Sequence, residues 1–277
     1  MGSTLSTLSS ALTKDSESAD YNGSPSERDV DAVREYFLQF LPLELIDLVL
    51  DYAEYWPCLR VDTNKEIDAL ASRTISGEAT WLYLISPFIP PREIKGVDSR
   101  HRRIRKVKFD MESNDQGWGG EPEHRGPFAQ GKITLNVEFH TGTYNGSWSW
   151  FEAIIFRASA SPCWLDLDSD PFNLGSSFNA NDIKELFPEP IPNGWHIQSN
   201  VVASDTPRFH SVSWTEFPEE SEDIHVDPTS QKGREGLGHE LVQSLEPGDR
   251  VMLIAKAKFP NWENHVYSAS IEIFYSV

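Results

Sequence analysis

Residues Arg250–Phe259 read RVMLIAKAKF, and residues Val266–Tyr275 read VYSASIEIFY. Both runs are rich in β-branched, aromatic and aliphatic residues, and the turn Glu246-Pro-Gly-Asp249 precedes the first. Such segments fit a pleated, half-buried surface better than a helix. After Pro57 the two-residue period replaces the helical one, in short runs. It marks strands at Thr80–Ser86, Ile104–Glu112, Ile133–Thr141, Ser149–Ala158, Trp195–Val202 and His210–Glu216. Eight short strands separated by Gly, Pro, Asn and Asp, with no long helices between them, predict a mainly β chain. The expected fold is an antiparallel β-sandwich or jelly roll over 58–277. Short helices are expected at Asn181–Phe187 and Gly238–Leu245, and Phe217–Asp227 reads as an acidic loop.

Before Pro57 the period changes to that of a helix. DVDAVREYFLQF places Val30, Val33, Phe37 and Phe40 on one side. After Pro42, PLELIDLVLDYAEYW places Leu45, Leu48, Val49 and Tyr52 at i, i+3, i+4 and i+7, one stripe of an amphipathic helix. The chain thus divides into a Ser/Thr-rich tail expected to be disordered (1–28), a helical segment (29–57) and the sandwich.

Composition excludes some function classes. The formal charge of −19 over 277 residues opposes binding to phosphate backbones and anionic membranes. No window approaches the roughly 18 apolar residues of a membrane span. Cys58 and Cys163 stand apart without zinc-ligand or disulfide patterning, which fits a reducing, cytoplasmic setting that extends to the nucleus. Met1-Gly2-Ser3-Thr4-Leu5-Ser6 matches the myristoylation pattern at Gly2, but no polybasic patch follows to strengthen a lipid anchor. No phosphate-binding, dinucleotide-binding or hydrolase motif occurs, so no cofactor is expected and enzymatic activity has no support. The basic run Arg100–Lys108 reads as a loop entering a charged edge strand. Asp166, Asp168 and Asp170 alternate like the start of a calcium loop, but Pro171 and Ser177 replace the required glycine and glutamate. A plain acidic loop is the default there.

Three polar, tryptophan-bearing stretches are the candidate ligand site. In Thr143–Glu152 (TYNGSWSWFE), alternation puts Trp148, Trp150 and Glu152 on one strand face and Phe151 on the other. The first group is either a stacking platform or core filling. Asp115, Gln116 and Trp118 sit in a Gly-rich loop, and Trp262, Asn264 and His265 in another. If the last strand lies near the other two, all three form one rim for a glycan or protein ligand. The loop residues Trp118 and Trp262 are its better contact candidates.

The helix opening Leu41-Pro-Leu-Glu-Leu-Ile-Asp-Leu-Val-Leu50 resembles the first helix of an F-box, with Leu41, Pro42, Glu44, Leu45, Ile46, Val49 and Leu50 at its pattern positions. The second and third F-box helices have no counterpart here. The resemblance implies docking on a cullin-ligase adaptor through Pro42, Glu44, Leu45, Leu48 and Val49. The competing reading, favoured on the stripe alone, packs the helix under the sandwich. The layout also resembles F-box proteins carrying a galactose-binding-like sandwich. Finally, AEYWP (53–57), DQGW (115–118), GSWSWFE (146–152), PGDR (247–250), PNWENHV (260–266) and YSV (275–277) together resemble a fungal family that carries no activity to transfer.

Overall fold

The structure, a computed structural model, describes residues 23–90, 102–118, 142–157, 194–217 and 233–277. The tail with Gly2, the strand at Ile133–Thr141, the helix at Asn181–Phe187, the Asp166/Asp168/Asp170 loop and most of the acidic loop lie outside these residues.

Helix α1 (Glu27–Phe37) starts at Ser26, whose hydroxyl accepts the Asp29 N–H while Asp29 returns the bond to the Ser26 backbone. This reciprocal cap satisfies donors that the first turn leaves open. Helix α2 (Leu43–Tyr52) follows Pro42, whose fixed φ suits a helix entry. Next come β1 (Cys58–Thr63), β2 (Ile67–Leu70), β3 (Glu78–Ile85), β4 (Arg103–Asn114), β5 (Ser149–Phe156), β6 (Trp195–Ser199), β7 (Arg208–Thr215), a short α3 (His239–Ser244), β8 (Arg250–Lys258) and β9 (Glu263–Ser276).

The strands form two antiparallel sheets. One has the order β1-β9-β4-β7, with β2 following β1 along the same edge of β9; the other has the order β3-β8-β5-β6. Between them lies a core that includes Val107, Phe109 and Met111 of β4, Phe151 and Ala153 of β5, Leu253 of β8 and Ile271 and Ile273 of β9. The chain is therefore mainly β, with two sheets stacked as a sandwich.

Three expectations change. The two-residue period does not mark β1 and β2, because CLRVDT and IDAL are short and charged. They form by pairing with the long β9, a gain that local pattern does not reveal. Strand β4 is central rather than an edge, hydrogen-bonded to β9 on one side and β7 on the other. A register shift between Ile104 and Lys106 switches the alternation, so Ile104, Val107, Phe109 and Met111 all face inward. The basic residues are then partnered. Arg103 and Arg105 share Glu216, Arg105 also reaches Asp51, Lys106 lies 2.8 Å from Glu54, and Lys108 is 2.8 Å from Asp110. Strand β8 is buried on both faces, with Val251, Leu253 and Ala255 in the core and Met252 and Ile254 beneath the outer surface. Its unbroken apolar run follows from that double burial.

Both helices sit against one end of the sandwich. Val30, Ile46 and Leu50 form a small core of their own, with Phe37, Leu41, Tyr55 and Val277 around it. Glu27 accepts from Tyr275 Oη (2.7 Å) and from Arg102 (2.8 Å), tying α1 to β9 and to the start of β4.

Candidate interaction surfaces at the two poles

Strand β4 runs from the helices at Arg103 to the tryptophan loops at Asn114, and β9 runs back. Twelve residues of strand span about 40 Å, so the two candidate surfaces lie at opposite poles of the sandwich.

At the loop pole the three tryptophan-bearing stretches converge. Asn264 at the start of β9 donates to the carbonyl oxygens of Trp150 (3.0 Å) and Lys256 (3.2 Å), crossing from one sheet to the other. Its Oδ1 accepts from Asn200 Nδ2 at 2.9 Å, which also lies near Ser149 Oγ (3.1 Å) and the Asn114 carbonyl (3.3 Å). Ser113 Oγ donates to Asn200 Oδ1 at 2.7 Å. Asn200 and Asn264 are fully buried. They form a polar tie holding the ends of β4, β5, β8 and β9 together.

Asp115 is likewise fully buried. Its carboxylate accepts from the backbone N–H groups of Gly117 (2.9 Å), Ser204 (2.8 Å) and Ala203 (2.6 Å). Burial pushes its carboxyl above the usual aspartate range, and the three N–H bonds pull it back. Gly117, at φ +75°, lets this loop press on Asp205, where an added Cβ would come within 2.7 Å of the Asp205 Cβ. Two of the polar residues expected at a ligand, Asp115 and Asn264, are thus fully occupied as scaffold and present nothing to solvent.

The remaining rim residues differ among themselves. Trp118 is 49% exposed, and its carbonyl accepts from Gln116 Nε2 at 2.9 Å. Trp262 packs on the sandwich core. His265 faces outward between Asp68 (2.6 Å) and Glu263 (3.0 Å). Trp148 and Trp150 are half-buried on the outer side of their sheet, while Phe151 fills the core, as alternation requires. Trp150 donates its indole N–H to Glu152 at 2.7 Å, and Trp148 meets Phe259 edge-on with ring centres 4.7 Å apart. Sequence reasoning missed Phe259, which is 45% exposed at this pole and holds φ +70°. A bulky residue at positive φ is uncommon, but nothing in the residue type announces it.

Trp118→Ala is therefore expected to change unfolding free energy by less than about 1 kcal/mol, as for a surface residue. Trp262→Ala, which opens space against the core, is expected to cost about 2 kcal/mol or more. Parallel urea titrations of the two variants check this ordering.

At the helical pole the outcome reverses the packing expectation. Helix α2 packs through Ile46 and Leu50. Leu45 (47%), Leu48 (63%), Val49 (45%) and Tyr52 (93%) stand exposed, and Pro42 and Glu44 are exposed beside them. LELIDLVLDY is apolar around most of its circumference, so periodicity found a stripe without revealing which stripe the sandwich takes. Tyr36, Leu38 and Phe40 add to the exposed apolar surface, the Tyr36 and Phe40 rings lying 5.7 Å apart.

For chemistry there is less. His196 Nε2 lies 3.0 Å from Ser199 Oγ, and among the described residues the buried His196 Nδ1 meets no hydrogen-bond partner of the kind that orients the ring in a hydrolytic triad. Burial lowers the His196 pKa. Among the described residues no group of three or more His, Cys, Asp or Glu side chains is placed to hold a metal ion, and no helix is long and apolar enough to cross a membrane. The fold and these surfaces define a mainly β protein with two separate candidate interaction poles. No protein-family model matches the chain, and no curated protein or solved structure is significantly similar to it.

Proposed function

We propose that this is a non-catalytic binding protein that docks on a protein partner through its helical pole. The observation that carries the reading is the outward stripe Leu45, Leu48, Val49 and Tyr52 on α2. Soluble proteins rarely leave a contiguous apolar face of this kind open unless it is used, and an amphipathic helix in a groove is a recurring recognition mode. Ile46 and Leu50 anchor the helix from behind, so the stripe is presented on a fixed support. The F-box-like order of LPLELIDLVL makes the adaptor subunit of a cullin-type ubiquitin ligase the first partner to test. The protein would then be a substrate receptor or scaffold, with the sandwich available to the substrate.

A second reading rests on the opposite pole. Trp118 (49% exposed) and Phe259 (45% exposed) flank the buried tie, and they would contact a glycan or protein ligand, with Gln116 and His265 as polar neighbours. In a receptor the two readings are complementary, because ligand and partner would occupy different poles. A galactose-binding-like sandwich remains a proposal on layout alone.

The test is direct binding of the purified adaptor by calorimetry. Leu45→Asp/Leu48→Asp is expected to weaken binding at least about 100-fold, since both residues would sit in the centre of the interface. Circular dichroism should stay unchanged, because both side chains are exposed. Trp118→Ala should bind the adaptor like the parent. Equal adaptor affinity of the Leu45→Asp/Leu48→Asp variant would refute docking through α2.

A further inference from the structure

We infer that the partner segment seated on the helical pole is a basic amphipathic helix, with an apolar ridge flanked by Lys and Arg. This rests on the reading that the pole is a docking surface, and it specifies the chemistry of what docks. The apolar stripe sets one half of the requirement. Four residues at i, i+3, i+4 and i+7 on α2, extended by Leu38 and Phe40 ahead of it, offer a ridge that another helix can pack along.

The rim sets the other half. Exposed acids flank the stripe along the chain, Glu35 beside Tyr36 and Glu44 beside Leu45, while Glu54, two residues beyond Tyr52, is paired with Lys106 at 2.8 Å. The only bases of the two helices are Arg28 and Arg34. Arg34 is turned inward to Asp31 (3.0 Å), Asp47 (3.2 Å) and the Val277 carbonyl. The two helices therefore present an apolar centre with Glu35 and Glu44 at its edge, and Arg103, Arg105 and Lys106 of β4 at the same pole are engaged with Glu216, Asp51 and Glu54, on a chain of net charge −19. Opposite charge at an interface rim raises the association rate and rejects partners of like sign. A second copy of this chain would bring its own Glu44 rim against the first, and an anionic lipid surface would be repelled. A basic helix satisfies both the ridge and the rim.

The experiment uses the full chain and three synthetic helical peptides sharing one leucine ridge, with flanks of Lys, Gln or Glu. Fluorescence anisotropy is expected to show the Leu/Lys peptide binding at least about tenfold more tightly than the Leu/Gln peptide, and the Leu/Glu peptide not at all. Added salt should close the gap, as for exposed charges. Leu45→Asp/Leu48→Asp should abolish Leu/Lys binding although it makes the protein more acidic. Glu35→Lys/Glu44→Lys should weaken it while leaving the ridge intact.

Equal binding of the three peptides would overturn the basic partner and leave the docking reading standing. Leu/Lys binding that survives the Asp variant would be diffuse attraction to an acidic chain, and would overturn both. Failure of all three peptides to bind overturns the inference. So does light scattering that shows a dimer split by Leu48→Asp, which would make a second copy the occupant.

Discussion

Asn264→Ala is expected to destabilise the fold by about 3 kcal/mol, although the removed side chain is small and polar. The amide supplies hydrogen bonds to the Trp150 and Lys256 carbonyls and accepts from Asn200. Alanine removes the donor from the part-buried Trp150 and Lys256 carbonyls and leaves the Asn200 amide with two acceptors, Ser149 Oγ and the Asn114 carbonyl, in place of three. Each unsatisfied buried group costs about 1–3 kcal/mol, and members of a buried network lose more together than singly. For a chain of this size the drop corresponds to roughly 6–12 °C in Tm. Differential scanning calorimetry of the variant reads it. A change below about 0.5 kcal/mol would mean that water enters this site readily and that Asn264 is not the tie between the sheets.

Gly238→Ala is expected to be at least as damaging, at about 4 kcal/mol. Gly238 caps α3 at φ +66°, and a Cβ there would fall 1.9 Å from the Trp214 ring. Trp214 cannot yield easily, being 4% exposed and stacked edge-on against Phe109 with ring centres 5.1 Å apart. The left-handed backbone contributes about 1–2 kcal/mol of the cost and the overpacking about 1–3 kcal/mol. Gly236 provides the internal comparison. It holds φ +72° but has open space around its Cβ position, so Gly236→Ala should show the backbone cost alone. Denaturation midpoints of the two variants side by side separate the terms, and equal losses would refute the Trp214 clash.

Much of the sandwich was legible because strand alternation is a local signal. Burial on alternate residues in RFHSVSWT and in the first half of SWFEAIIF follows the two-residue spacing of those segments. What escaped depends on pairing across the chain. CLRVDT becomes a strand only because β9 is long enough to hold β1 and β2 in succession. The basic run became central through a register shift at Arg105 and through acids distant in sequence, Asp51 and Glu216.

The loop pole was legible as a meeting place and less so in its parts. Asn, Asp and Trp in glycine-rich loops signal that hydrogen bonds will be made. Composition does not say whether the partner is a ligand or the chain itself. For Asp115 and Asn264 the chain supplies every partner described. For Trp118 the chain leaves half the surface open. The α2 stripe shows the same limit in helical form. Period alone cannot assign burial to one side of LELIDLVLDY, because Ile46 and Leu50 make a second stripe as apolar as the first.

Carbene footprinting of the free protein tests the outward stripe most directly. Heavy labelling of Leu45, Leu48, Val49 and Tyr52 is expected, with Ile46 and Leu50 protected to the level of Phe109. Protection of Leu45 and Leu48 together with labelling of Ile46 would contradict it, because the helix would then be turned with its stripe under the sandwich and no apolar face left to dock.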